Sequence, residues 1–386
     1  MKVYILIGII LFIFTSCDTD LRTKTETRIV PIDLDNSKTE LLSSKVERIE
    51  YILLDYEDSL PIVNPIKFII LPNKIYVWDI VMHNVFIFDR NGKVINVIES
   101  SGEGPQEFNY INDFIVDGGD IVIFDTQLHK IIRFKENGEF ISEERTKLIA
   151  ENFIDKVGFR LYFMNNNSDA KGFNFVRLAP QKELSAYLPI KIGFEKIRVT
   201  DRNGFKIDKF RNEYIFNMSY TYEVAFFNSD GFLSELVYFD LGEAKIKEKH
   251  MLNLMENKSI YSFRESQNKV IDITEFFPIK NGYFMPLFRG NKYHLIFLDE
   301  DLNVDLQAME FTNDIDSMKF RSIPWTYGDN ELVYVTHSSL FYDDYLNQFG
   351  NIKDINKDEG IHKFIAKNQL KLREEKLVIS VLKLKK

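Results

Sequence analysis

The sequence has a single cysteine in 386 residues, Cys17, which directly follows an apolar leader. An intramolecular disulfide needs two cysteines, so none can form, and a metal site built from several cysteines is excluded as well. The chain is 45% hydrophobic and 14% aromatic. Its stability therefore has to come from a large packed core, and the aromatic content favours strands that pack face to face.

The chain also lacks an excess of basic residues. It has 49 Lys and Arg against 58 Asp and Glu, a formal net charge of −9, and no basic block. Nucleic-acid binding depends on Lys and Arg side chains that neutralise phosphates. We therefore exclude nucleic acid as a partner.

Familiar catalytic motifs are missing too. The sequence contains no GxSxG, P-loop, GxGxxG or HExxH pattern, and its six histidines are scattered along the chain. Those patterns would indicate a serine nucleophile, a phosphate or dinucleotide site, or a zinc protease. The sequence therefore predicts no cofactor and names no catalytic residue.

No apolar run is long enough to span a bilayer as a helix, which takes about 20 residues. The longest, Val3–Phe14, follows Lys2 and precedes Thr15-Ser16-Cys17. That arrangement is typical of an export signal over 1–17, and the residues before Cys17 resemble the lipobox of bacterial lipoproteins. The resemblance implies a cut before Cys17 and its lipidation, so that the protein's partner is the membrane, through a lipid anchor. The alternative is an ordinary cleaved signal with an incidental cysteine.

The polar stretch Asp18–Lys45 is predicted to be a tether that leads into a first extended segment. Its residues Asp18 and Asp20 resemble the export tags of surface lipoproteins of Bacteroidetes. This resemblance implies an outer membrane lipoprotein that faces the periplasm or the cell surface.

The most informative stretch, Ile75–Ile141, contains one pattern twice. Its second copy repeats the first at a displacement of 46 residues, with these matched positions: Asp79 and Asp125, His83 and His129, Phe88 and Phe134, Asn91-Gly92 and Asn137-Gly138. The segments between turn signals are four to six residues long and rich in β-branched and aromatic residues, which indicates strands. Asn-Gly provides the positive φ angles of tight hairpins. A unit of four strands with this period is typical of a propeller blade.

The same residues resemble a known family. Val77-Trp78-Asp79, His83–Asp89 and Asn91-Gly92 are similar to the NHL repeat, and the loop Gly102–Phe108 is similar to its Gly-x-Gly-Pro connection. The resemblance is closer still to the 6-bladed β-propeller lipoproteins of Bacteroidetes. It implies an all-β, six-bladed β-propeller of four-stranded antiparallel blades. The NHL arginine near the histidine is missing here, so its role does not carry over.

We expect one propeller over 46–386, closed by the pairing of Val46–Leu54 with the C-terminal strand near Leu377–Leu384, because an open ring would expose strand edges. Dividing residues 62–386 by the 46-residue period gives about seven blades. We favour six, because a polar insert at 165–172 and a helix predicted over Lys357–Leu372 lengthen the blades.

Five residues are candidates for binding a ligand: His83, His129, Glu103, Gln106 and Glu107. In a four-stranded meander, the loops after the second strand and the links between blades lie at the same mouth of the ring, where propellers commonly bind ligands. Each candidate has a structural alternative. The repeated histidines can share a structural hydrogen bond, the Gly-Pro loop can be a plain blade linker, and the repeated Asp79 and Asp125 more readily cap turns than act as acid and base.

Some aromatic residues, Tyr110, Trp325 and Tyr327 among them, could stack on sugars, although core packing is the default in so aromatic a chain. The function predicted is a ligand-binding or scaffold module of the cell envelope, for glycans, peptides or a protein. The alternative is a propeller enzyme of the lyase, lactonase or glycan hydrolase type, with a site at the ring mouth. Such an enzyme could hold a divalent metal in its channel.

Overall fold

A computed structural model describes residues 26–99, 102–167, 172–180, 183–198, 203–352, 356 and 359–386. Three strands precede blade 1 in the chain: β1 (Thr27–Pro31), β2 (Lys38–Leu41) and β3 (Val46–Leu54). Blade 1 contains β4 (Pro65–Ile70), β5 (Lys74–Asp79), β6 (Asn84–Asp89) and β7 (Val94–Ile98). Blade 2 contains β8 (Asp113–Asp117), β9 (Asp120–Asp125), β10 (Lys130–Phe134) and β11 (Phe140–Arg145).

The later blades follow the same order from the axis outward. Blade 3 contains β12 (Asn152–Lys156), β13 (Phe159–Phe163), β14 (Phe173–Leu178) and β15 (Leu184–Pro189). Blade 4 contains β16 (Lys206–Asp208), β17 (Glu213–Asn217), β18 (Glu223–Phe227) and β19 (Leu233–Asp240). Blade 5 contains β20 (Phe277–Ile279), β21 (Gly282–Arg289), β22 (Lys292–Leu298) and β23 (Val304–Thr312). Blade 6 contains β24 (Thr326–Gly328), β25 (Glu331–His337), β26 (Leu377–Leu384) and β3.

The six sheets form a ring, because the innermost strand of one blade packs beside that of the next, as β24 does with β4 and β16 with β20. The prediction of a six-bladed propeller is thus confirmed. Successive side chains of a strand point to opposite faces of its sheet. In β5, Val77 belongs to the core shared with blade 6, while Tyr76 and Trp78 belong to the core shared with blade 2. Stacked blades bury both faces, which is why these strands are continuously apolar.

The predicted closure is also present. β3 pairs antiparallel with β26, with Leu54 opposite Leu377 and Ile52 opposite Ile379. A strand near the start of the chain thus becomes the outermost strand of the last blade. Gly92, in the hairpin of blade 1, packs against this strand. A Cβ there would lie 1.9 Å from the carbonyl oxygen of Leu53, and its φ of 84° is in the left-handed region, so only glycine fits.

The predicted tether needs a correction. β1 pairs in parallel with β19, and β2 pairs in parallel with β23, so each adds a fifth, outermost strand to blades 4 and 5. Val30, Ile32 and Leu34 are buried there. By pairing with β19 and β23, the two strands cover sheet edges that would otherwise be exposed. Residues 26–45 therefore belong to the propeller, and the predicted boundary at residue 46 is too late. Residues 18–25, like the signal at 1–17, lie outside the described residues.

Besides the strands, the described residues form four α-helices: α1 (Glu248–Glu256), α2 (Ile260–Gln267), α3 (Ser338–Phe349) and α4 (Gly360–Asn368). The predicted helix at Lys357–Leu372 corresponds to α4, whereas the other three had no counterpart in the predictions. Among the helices of the described part of the chain, none is long and apolar enough to cross a membrane.

The two mouths of the ring differ in construction. One, here called the turn face, carries the short turns after the first and third strands of each blade. The other, the connector face, carries the loops after the second strands and the links between blades. α1 and α2 link blades 4 and 5, and α3 and α4 follow the second strand of blade 6, so all four helices belong to the connector face.

Candidate functional site

The repeated aspartates cap turns. Asp79 is fully buried, and its Oδ1 accepts hydrogen bonds from the backbone of Val81 and Met82 at 2.9 and 2.8 Å, while its Oδ2 accepts one from Asn64 at 2.7 Å. Asp125 repeats the arrangement, accepting from the backbone N–H of Leu128 at 2.8 Å and from the preceding connector at 3.0 and 3.1 Å. Each carboxylate therefore ties a loop to the connector before it, and the structural interpretation of this pair holds.

The repeated histidines share a backbone conformation. His83 and His129 precede the third strands of their blades with φ of 52° and 54°. His83 is half-buried, its ring centroid lies 4.7 Å from that of Tyr110, and burial lowers its pKa. Its Nδ1 is buried without a hydrogen-bond partner in the described structure. His129 is exposed. Both lie on the connector face, as the topology required, but in different surroundings.

The Gly-Pro loop, described from residue 102, is clamped onto blade 2. Glu107 Oε2 accepts a hydrogen bond from the Gly104 N–H at 2.8 Å, within the loop itself. The ammonium of Lys130, with no exposed surface, donates to the Gly104 carbonyl at 2.9 Å, and Gln106 N–H donates to Glu143 at 3.0 Å. Glu103 is exposed. A ligand-binding role for Glu103, Gln106, Glu107 and the two histidines stays a prediction, and none of the five lines either of the cavities described below.

Polar side chains surround the axis where the innermost strands begin. Lys67 and Asp113, one repeat apart on blades 1 and 2, form an ion pair of 2.6 Å whose side chains are 5% and 1% exposed. Burial raises the pKa of Asp113, against the opposing effect of the Lys67 ammonium, and its Oδ2 also accepts from the Phe153 N–H at 3.2 Å.

The opposite side of the axis is built similarly. The buried Lys206 ammonium lies 2.7 Å from Asn217 Oδ1 and 3.4 Å from Glu275 Oε2. Asn203 Nδ2 bridges Glu275, at 2.7 Å, and the carbonyl of Trp325, at 3.1 Å. The two carboxylates near the axis thus face ammonium groups. In the described residues there is no cluster of three or more His, Cys, Asp or Glu that could hold a metal.

A mostly apolar funnel opens on the turn face. It has a volume of about 370 Å³ and is lined by side chains of the innermost strands, including Ile69, Ile115 and Ile207. Tyr327, on the innermost strand of blade 6, also lines it, and its hydroxyl accepts a hydrogen bond from the Ile207 N–H of blade 4 at 2.6 Å.

A larger cleft, here called the connector cleft, opens on the connector face over blades 4 to 6. Its volume is about 750 Å³, within the range of small-molecule sites. Its wall includes α2 and the links into blades 4, 5 and 6. Aromatic and charged side chains dominate its lining: Tyr220, Tyr261, Phe288, Tyr293, Trp325, Arg198, Arg264, Asp272 and Glu275.

Arg264 is the central charged group of this cleft. Its guanidinium lies 4.1 Å from the ring centre of Phe288 and 5.6 Å from that of Tyr261. Its side chain is only 13% exposed, its ion-pair distance to the exposed Glu265 is 3.4 Å, and its Nε is buried without a hydrogen-bond partner in the described structure. Aromatic stacking holds the planar cation in place and leaves donor capacity towards the cleft.

The acidic groups of the cleft have structural partners. Asp272 Oδ2 accepts from the N–H of Tyr220 at 2.9 Å, at a residue whose φ of 58° is unfavourable for an aromatic side chain. Burial, and then the hydrogen bond with Tyr261, raises the pKa of Tyr220, so this hydroxyl stays protonated. Since Glu275 also contacts Asn203 and Lys206, the arginines are the charges most available to a ligand.

Of the aromatics considered from the sequence, Trp325 is half-buried and lines the connector cleft, Tyr110 packs on His83, and Tyr327 lines the funnel. Sequence reasoning missed Arg264 and Tyr261. They belong to an insertion that has no counterpart in the repeat of blades 1 and 2. The available signal was the loss of the strand pattern between blades 4 and 5, over residues 248–267.

Comparisons with known proteins agree with this architecture. A Bacteroides fragilis protein described as exported superposes on this chain with a TM-score of 0.71 at 15% sequence identity. The superposition covers 93% of this chain and 100% of that one. A DUF4221 family member from Bacteroides vulgatus gives 0.50 at 12% identity, covering 88% and 97%. At these identities the likeness shows the fold alone. A comparison with curated proteins found no match.

The sequence itself matches the family model DUF5128, described as a 6-bladed beta-propeller, over residues 21–335. The matched range begins before β1 and ends within blade 6, so it includes the edge strands, all of blades 1 to 5 and the connector cleft. Because that range spans most of the chain, this protein belongs to the DUF5128 family of 6-bladed beta-propellers.

Proposed function

We propose that this propeller is a ligand-binding module of the cell envelope, and that the connector cleft is its binding site. The observation that carries the proposal is the stacked Arg264 in a cleft of about 750 Å³ whose walls are aromatic. Aromatic faces stack on sugar rings or peptide side chains, and a guanidinium binds a carboxylate through two parallel hydrogen bonds. Acidic glycans and peptides with a free carboxylate are the ligand classes that fit.

Binding is favoured over catalysis by the state of the acidic groups. A general acid or base needs a carboxyl group free to exchange a proton with the substrate. Asp272 accepts a backbone hydrogen bond and Glu275 contacts an asparagine and a lysine, so both hold the structure of the cleft together. A propeller enzyme with its site at the same mouth is the alternative.

The binding proposal is tested with glycan and peptide arrays, followed by calorimetry with the purified full chain. Replacing Arg264 by methionine keeps an alkyl chain against Phe288 and removes the charge. We expect at least a tenfold loss of affinity for acidic ligands, because a charge-assisted hydrogen bond contributes roughly 1.5–3 kcal/mol. The matched control is Arg48→Met, on the outer strand of blade 6, where the side chain is 56% exposed. Equal binding by both variants would exclude the connector cleft.

For location, we propose an outer membrane lipoprotein anchored at Cys17, which lies outside the described residues. The support is the sequence before Cys17 and a structural relative described as exported. In cells, Cys17→Ser should lose the acyl mass and move from the membrane to the soluble fraction. An unchanged mass and distribution would leave an ordinary signal peptide as the explanation.

A further inference from the structure

A smaller cavity, here called the side pocket, adjoins the connector cleft. It has a volume of about 250 Å³ and lies between blades 3 and 4 on the connector face. Ser219 belongs to the wall of both cavities, so the side pocket and the connector cleft meet at this residue. Apolar side chains form most of the wall of the side pocket: Phe163, Leu188, Pro189, Phe194, Met218 and Leu236.

The backbone is strained on both sides of the side pocket. Leu188 in blade 3 has a φ of 53°, and Tyr220, which follows Ser219 in blade 4, has a φ of 58°. Bulky side chains rarely adopt these angles. The Asp272 carboxylate holds Tyr220 in place by accepting from its N–H at 2.9 Å. Strain of this kind is concentrated at ligand-binding sites, which supports a binding role for the side pocket.

The polar side chains in the wall of the side pocket bond to groups of the protein. Asn174 Nδ2 donates to Asn166 Oδ1 at 3.0 Å, and Asn166 Nδ2 donates to the Ile197 carbonyl at 3.0 Å. Glu223 pairs with Lys191 at 3.3 Å. A sugar ring buried here would bring several hydroxyl groups, each of which costs free energy unless it finds a hydrogen-bond partner. The side pocket therefore suits a hydrocarbon side chain better than a sugar.

The size of the side pocket matches one amino-acid side chain. An apolar cavity of about 150 Å³ is enough to bind benzene. A pocket of about 250 Å³ therefore has room for the side chain of a phenylalanine or a leucine. Apolar side chains that fill such pockets commonly contribute most of the affinity of a peptide or protein ligand.

The connector cleft supplies positive charge next to the side pocket. The Arg198 guanidinium donates to the backbone carbonyls of Glu195 at 2.7 Å and Ile197 at 3.3 Å, which are acceptors without net charge. Arg264, stacked on Phe288, lines the same cleft. Guanidinium groups bind carboxylates through paired hydrogen bonds. A ligand that occupies both cavities should therefore carry a carboxylate close to an apolar group.

We infer that the ligand of the connector cleft is an acidic peptide, whose carboxylate binds Arg264 and whose nearby apolar side chain fills the side pocket. This inference rests on the connector cleft being the binding site proposed above. It selects peptides over acidic glycans, because a glycan would find carboxylate recognition in the cleft but no hydrogen-bond partners in the side pocket.

Calorimetry with the purified full chain tests the choice of ligand. The probes are short synthetic peptides that end in glutamate with free carboxylates and carry phenylalanine, leucine or alanine two positions earlier. Tetragalacturonate is the acidic sugar probe. We expect the phenylalanine and leucine peptides to bind at least about tenfold more tightly than the alanine peptide, because only their side chains fill the side pocket. They should also bind more tightly than the sugar.

A variant pair examines the side pocket itself. Ser219→Phe places a ring where the two cavities meet, so we expect it to abolish the preference for the phenylalanine peptide over the alanine peptide. The matched control is Ser229→Phe, the same substitution at an exposed turn on the opposite face of blade 4, which should keep the preference. Thermal unfolding checks that both variants fold. The comparison of peptides on the natural protein needs no variant and decides the question even if Ser219→Phe is unstable.

The possible failures are distinguishable. Equal affinity for the three peptides, with binding lost in Arg264→Met, would keep the connector cleft as the site and overturn the role of the side pocket. Arg264-dependent binding of tetragalacturonate without binding of any peptide would overturn the peptide assignment alone. If binding of no probe depends on Arg264, the proposed function fails and this inference fails with it.

Discussion

Blades 1 and 2 repeat each other position for position, whereas blades 4 to 6 share the same sheets but differ in everything between them. In the regular pair, Asp79 and Asp125 cap equivalent turns and His83 and His129 adopt equivalent backbone angles. In the irregular blades, helices and long connectors form the connector cleft around Arg264. The comparison teaches that the residues repeated between blades 1 and 2 serve the structure of the blade. The proposed binding site lies where the repetition stops.

The largest effect is expected where the ring closes. Deleting Leu377–Lys386 removes β26, which lies between β25 and β3 in blade 6. The loss exposes the faces of two neighbouring blades, so we expect an insoluble or protease-labile protein. Limited proteolysis and thermal unfolding measure this. An unchanged melting transition would show that the ring is held without its closing strand.

The next largest effect is expected at the buried ion pair of the regular blades. Lys67→Met leaves Asp113 buried without its ammonium, which should cost about 3–5 kcal/mol in the free energy of unfolding at pH 7.5. The matched variant Lys206→Met should cost less, because the Glu275 side chain is 12% exposed against 1% for Asp113 and lies 3.4 Å from its ammonium partner rather than 2.6 Å. Urea denaturation compares the two. Equal losses would contradict this difference between the two sides of the axis.

The pH dependence of Lys67→Met follows from the same burial. The pKa of Asp113 is raised in the folded protein, so the stability linked to this group is present at low pH and is lost as the pH rises through the folded-state pKa. Removing the ammonium raises that pKa further. The deficit of Lys67→Met against the natural protein should therefore shrink between pH 7.5 and pH 5. A deficit that grows on acidification would refute the assignment.

A smaller loss is expected for the repeated turn cap. Asp125→Ala removes the acceptor of three backbone N–H groups, which we expect to cost about 2–3 kcal/mol in urea denaturation. Ligand binding at the connector cleft should not change, because blade 2 does not line it. A loss of affinity without a loss of stability would contradict the purely structural role of Asp125.

The smallest effect is expected at the repeated histidines. His83→Asn and His129→Asn retain a residue that tolerates positive φ, so the free energy of unfolding should change by less than about 0.5 kcal/mol. The same variants, with Glu103→Gln, examine the candidates named from the sequence. Reduced ligand binding in any of them would move the site towards blades 1 and 2.

Much of the fold followed from the sequence. The 46-residue displacement and the Asn-Gly turns identified four-stranded blades, and the apolar strands at both ends predicted the closure of β3 on β26. These features depend on local backbone preferences and on periodic burial, which a sequence displays directly. The parallel edge strands β1 and β2 were not predicted, because such a strand repeats no local motif and is specified by a partner some 200 or more residues away.

The candidate site was predicted only in part. The connector face could be assigned from the order of strands, since loops after second strands and links between blades always share one mouth. The connector cleft could not, because Arg264, Phe288 and Trp325 are distant in sequence and meet through the stacking of blades 4, 5 and 6. By itself, the sequence determined four-stranded blades and their closure into a ring, since strand periodicity and turn chemistry are local. Only the tertiary structure decided where charge and aromatic surface converge, since that depends on side chains brought together across blades.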